Sequence, residues 1–92
     1  MKTTKFDVQN HLKTRKERIA YLEAVMEDGD PRLIAAALGD IARAMGPSRF
    51  ARETGLSRET IYKALKPNGN PTLDTLAKSM KVLGVRLSLR AI

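Results

Sequence analysis

The sequence predicts an all-α protein: one helix-turn-helix bundle of five or six helices that ends in a short β-strand. Three observations carry that expectation. Apolar residues recur with a helical period along most of the 92 residues. The helical stretches are separated by start and stop signals such as Gly29-Asp30-Pro31, Gly46-Pro47 and Gly55-Leu56-Ser57. Only the run Val85-Arg86-Leu87-Ser88-Leu89-Arg90 alternates with period two. The length allows one domain, 1–92, with N-terminal helices at 6–46, the helix-turn-helix at 47–66, and a final helix and strand at 72–92.

In chain order, residues 1–5 are polar and frayed by expectation. Asp7 caps a short helix that reaches about Leu12, with Phe6 and Val8 as its apolar grip. Thr14-Arg15-Lys16-Glu17 fits a capping box, and the helix it starts carries Ile19, Leu22, Val25 and Met26 on one face. Asp30-Pro31 places a cap before a proline, the favoured order for a helix start. Leu33, Ile34, Ala37, Leu38, Ile41 and Met45 then make a broad apolar stripe, expected to be the central core helix. Beyond the helix-turn-helix, Lys66-Pro67-Asn68-Gly69-Asn70-Pro71 is a turn cluster. Thr72 caps a last helix with Leu73, Leu76, Ala77, Met80 and Leu83 in phase. Val85, Leu87 and Leu89 of the strand share a face expected to pack on the helix of Leu76 and Met80. Its free edge needs a partner, either a second protomer or another protein; without one the segment must lie as an extended tail.

The stretch from Phe50 to Leu65 carries the most information. Ala51 is small enough for two helices to cross closely, and Gly55, four places on, supplies a left-handed backbone at the end of the first helix. Leu56 fills the angle, Ser57 caps the second helix, and Ile61 with Leu65 anchors it. That helix must turn its polar residues outward, the layout of a DNA-reading helix. Ser57, Arg58, Glu59, Thr60 and Lys63 are the candidate base-reading residues: Arg58 suits guanine, Glu59 cytosine and Thr60 the thymine methyl. Glu59 and Lys63 equally fit an i, i+4 ion pair. Candidate phosphate contacts are Ser48, Arg49 and Arg52 in the first motif helix, Tyr62 in the second, and Lys66, Asn68 and Asn70 in the following loop.

Charge agrees with that assignment. The net charge is +7, and it divides as +1 on residues 1–48 and +6 on residues 49–92, the half that holds the motif. A polyanion is the expected partner of that half. No cysteine is present, which excludes disulfides and thiolate metal sites. No apolar run approaches the roughly 20 residues of a membrane span, and no hydrophobic segment follows the first residues. A soluble, cytoplasmic protein with no membrane partner is therefore expected. His11, with Asp7 one turn earlier, completes neither a triad nor a metal site. Asp28-Gly29-Asp30 starts like a calcium loop but lacks the later ligands. Lys13, Arg15, Lys16 and Arg18 could suggest membrane attraction, but Glu17, Glu23 and Glu27 follow on the same helix, which makes a solvated mixed face. No cofactor, metal or enzymatic activity is expected.

Phe50 to Leu65 followed by Gly69-Asn70-Pro71-Thr72-Leu73-Asp74-Thr75-Leu76 resembles the lambda-repressor-like (XRE) helix-turn-helix domains. Glu27-Asp28-Gly29-Asp30-Pro31 and Leu38-Gly39-Asp40-Ile41-Ala42-Arg43-Ala44 narrow the resemblance to addiction-module antidote proteins, a HigA-like antitoxin group. The likeness runs from about Phe6 to Leu89. It implies a homodimer that silences a RelE/HigB-like ribonuclease toxin and represses its own operon by binding double-stranded operator DNA. In that class a glutamine usually opens the first motif helix and grips phosphate; Pro47-Ser48-Arg49 takes its place here. A stand-alone phage-type or chromosomal repressor with no toxin would use the same DNA-facing residues.

Overall fold

A computed structural model describes residues 12–92. Five helices follow one another: α1 (Arg15–Asp28), α2 (Pro31–Met45), α3 (Pro47–Thr54), α4 (Arg58–Ala64) and α5 (Leu73–Val82). The helix expected from Asp7, with Phe6, Val8 and His11, lies outside the described residues. Leu12, at its expected end, is buried in the core.

Local chemistry sets the boundaries. At the start of α1, Thr14 Oγ1 accepts from the Glu17 N–H at 3.1 Å, and Glu17 Oε1 accepts from the Thr14 N–H at 3.0 Å. Each satisfies a backbone donor that the first turn of a helix leaves unpaired. Asp30 accepts from the Arg32 N–H at 2.9 Å. That bond, with the Arg32 guanidinium beside it, holds the Asp30 carboxyl below the usual carboxylate range. Thr72 Oγ1 caps α5 through the Thr75 N–H at 3.1 Å.

Helix α2 is central, in contact with α1, α3 and α4, while α3 also touches α4 and α5. Phe50 of α3 is fully enclosed, among Leu22, Leu38, Ile41, Ile61, Leu65, Met80 and Leu83. Burial of one such side chain contributes about 1.5–3 kcal/mol, so α3, only eight residues long, is held by its packing. Because α2 is enclosed from several sides, its buried face is wider than its leucine and isoleucine stripe. Ala35 and Ala42 are buried, while Leu33 stands about half exposed.

Two polar links fasten α1 to the bundle. Tyr21 Oη donates to Asp40 Oδ2 at 2.7 Å, and Asp40 is paired in turn with Arg43. Arg15 Nε donates to the Leu83 carbonyl at 3.1 Å, which sets a cation at the C-terminal end of α5. The end of α5 closes as a Schellman motif: the Gly84 N–H bonds to the Lys81 carbonyl and the Val85 N–H to the Met80 carbonyl.

The expected strand at Val85, Leu87 and Leu89 is not formed. Among the described residues every element is helical, so the tail has no second edge with which to pair its backbone, and alternation alone makes no ladder. Val85 is half-buried, but Leu87 is only partly covered and Leu89 is 94% exposed. The tail's seat takes in a second helix. It borders a groove of about 380 Å³ with Met80 of α5, as expected, and also with Ile19, Leu22 and Met26 of α1.

Candidate nucleic-acid interface

Three residues join α3 to α4, and each does a separate job. Gly55 takes the left-handed conformation, φ +81°, and its N–H bonds to the Ala51 carbonyl at 2.9 Å. Leu56 is half-buried against the core, and its N–H bonds to Thr54 Oγ1 at 3.1 Å. Ser57 Oγ accepts from the Thr60 N–H at 3.0 Å and starts α4. On the inner side, Ile61 and Leu65 are buried at 4% and 2% exposure. With that face fixed, Arg58, Glu59, Tyr62 and Lys63 are exposed and Thr60 is half-exposed.

The outward residues are prearranged by one another. The Arg58 guanidinium lies 5.8 Å from the centre of the Tyr62 ring, and its Nη2 donates to Tyr62 Oη at 3.0 Å. That contact keeps the arginine extended along the helix side instead of free in solvent. Lys63 and Glu59 form the i, i+4 ion pair at 3.1 Å, both about three-quarters exposed. So exposed a pair stabilises by a few tenths of a kcal/mol, small enough for either partner to be drawn off by a stronger contact. The Ser57 hydroxyl donates to Thr60 Oγ1 at 2.9 Å. The five expected base-reading residues therefore share one short helix and its cap.

The expected phosphate contacts flank that helix on two sides. Ser48, Arg49 and Arg52 are exposed on α3, with Arg49 Nε bound to Glu53 Oε2 at 2.9 Å. Lys66, Asn68 and Asn70 are exposed in the loop after α4, where the Gly69 N–H closes a turn on the Lys66 carbonyl at 2.8 Å. Gly69 lies so tightly on the Ala64 carbonyl that a side chain there would collide with it. Val85, Leu87 and Leu89 stand apart from this surface, beside α1.

Residues 2–91 match the model of the family described as "Probable addiction module antidote protein". The chain belongs to that family. An uncharacterized protein of Haemophilus influenzae is 45% identical over 85 residues, covering 92% of this chain and 88% of the relative. No solved structure matches the chain significantly.

Two features of this region were not read from the sequence. Thr54 is buried because its hydroxyl bonds back to the Phe50 carbonyl at 2.7 Å while it accepts from Leu56, so it holds both sides of the turn. Arg43, on α2, comes to the end of α4 over Gly39. A signal for the second was present: an isolated glycine inside a strong helical pattern often marks a close approach.

Proposed function

We propose that this antidote protein is a sequence-specific DNA-binding antitoxin of a type II toxin–antitoxin module. In this reading α3 and α4 are a lambda-repressor-like helix-turn-helix of the XRE type. α4 enters the major groove, Arg58 pairs with guanine, Glu59 and Thr60 read neighbouring bases, and Ser48, Arg49, Arg52 and Lys66 take phosphates. One observation carries the reading: Ser57, Arg58, Glu59, Thr60 and Lys63 face outward from a helix whose other side is locked by buried Ile61 and Leu65. The charge excess of +6 on residues 49–92 favours a polyanion on that side.

One recognition helix reads too few base pairs for a genomic address, so the protein acts as a homodimer on a two-fold operator. The toxin partner is a RelE/HigB-like ribonuclease, silenced by binding rather than by any catalytic step of the antitoxin. The experiment is co-expression with the small reading frame beside its gene. The neighbouring product alone should arrest growth. The pair should grow, co-purify, and protect a palindromic stretch upstream of the operon in footprinting. A neighbour that is harmless, or a protein that protects no upstream DNA, contradicts the corresponding half of the reading.

A further inference from the structure

Where α2 crosses the end of α4 there is a small notch of about 50 Å³, lined by apolar Ala42, Pro47, Ile61 and Leu65 beside Gly39, and by the polar Arg43, Tyr62 and Lys66. Gly39 makes the notch possible: a Cβ there would collide with the Leu65 carbonyl, and Arg43 Nη1 stands 3.4 Å from where that Cβ would be. Arg43 is steadied by Asp40, which also accepts from Tyr21. That bond occupies Nη2 and leaves the guanidinium further N–H donors. Lys66 pairs with no carboxylate among the described residues and is exposed. Arg43, Lys66 and Asp40 together leave one net positive charge, the complement of one phosphodiester.

Position points to the same ligand. Arg58 and Tyr62 lie one turn apart on one side of α4, and Lys66 follows just beyond its C-terminal end. With Arg58 at the base edges, the exposed Lys66 beyond the other end of α4 is left for the sugar-phosphate backbone. We infer that Arg43 and Lys66 together hold one DNA backbone phosphate in this notch, which makes α2 a DNA-contacting element. The inference rests on the DNA-binding reading above and adds to it a residue outside both motif helices.

The test is the salt dependence of binding to a random-sequence duplex, measured for the unaltered chain, Arg43→Gln, Lys66→Gln and the double variant. Each neutralised phosphate contributes about 0.9 to the slope of log affinity against log salt. Both single variants should bind more weakly, and the double variant should lose about one unit of slope in total. A purely structural ion pair between Arg43 and Asp40 would shift the thermal midpoint and leave the affinity for DNA alone. Arg43→Met, which keeps the aliphatic stem over Gly39, replaces the glutamine variant if that one does not fold. An Arg43 variant that binds as tightly as the unaltered chain, an unchanged slope in the double variant, or a loss of about two units in the double, overturns the shared phosphate. An unaltered chain that binds no duplex at any salt concentration removes the DNA reading itself, and this site with it.

Discussion

Gly39 lies against the backbone carbonyl of Leu65 so closely that no side chain fits between α2 and the end of α4. This contact sets how α4 leans on the bundle, since a helix of seven residues has little stability of its own. Gly39→Ala therefore pits two effects against each other. Alanine is better in a helix by about 1 kcal/mol, but its methyl meets a backbone group that cannot swing aside. Overpacking of that kind costs about 1–3 kcal/mol. The expected outcome is net destabilisation in chemical denaturation and weaker DNA binding, because α4 is displaced. An alanine variant as stable as the parent would mean that α2 and α4 stand further apart.

Tyr21 gives a pH-dependent prediction. Burial, the hydrogen bond to Asp40 and that carboxylate's charge together push its pKa from the ordinary 10.0 up to about 12, with Arg43 opposing. The folded state therefore favours the protonated phenol. The stabilisation is fully present below about pH 10 and is lost as pH rises through about 12. Tyr21→Phe should cost about 1 kcal/mol at neutral pH, and the gap between the two proteins should narrow across that alkaline window. A gap that stays constant to pH 12 would show that the phenol is not the group responsible.

The tail leaves apolar side chains in water. Leu89 is 94% exposed and Ile92 fully so, next to the groove formed with Ile19, Leu22 and Met26. Removal of residues 86–92 should shift the free protein toward monomer in sedimentation and weaken operator binding, with α4 intact. A truncated protein that remains dimeric but no longer holds its toxin would assign the tail to the toxin instead.

The parts of the fold legible in the sequence are those set by local chemistry. The capping box at Thr14 and Glu17, the caps at Asp30, Ser57 and Thr72, and the turn at Gly55 form where their spacing places them, because each needs only a neighbour within a few residues. What periodicity misread depends on distant contacts. Leu73 is in phase with α5 yet 71% exposed, since it opens the helix before the packed face begins. Ser79 is polar yet fully buried, its hydroxyl satisfied by the Thr75 carbonyl at 2.8 Å, a bond that hydropathy does not register. The alternation at 85–90 did not make a strand, which requires an edge that the described residues do not offer, and of its apolar positions only Val85 is half-buried. At the candidate interface, the outward residues of α4 followed from the buried positions of Ile61 and Leu65. The approach of Arg43 did not, because it depends on how α2 crosses α4.

The central claim is that α4 reads base sequence while its flanks hold the backbone. It is tested most directly by titrating the DNA upstream of the protein's own gene, and a scrambled duplex of equal length, with the unaltered chain, Arg58→Ala and Arg49→Ala. Arg58→Ala should lose about 1–3 kcal/mol on the upstream DNA and almost nothing on the scrambled duplex. Arg49→Ala should weaken both alike and lower the salt slope by about one phosphate. Equal losses on the two duplexes for Arg58→Ala, or no preference of the unaltered chain for its own upstream DNA, would contradict the claim.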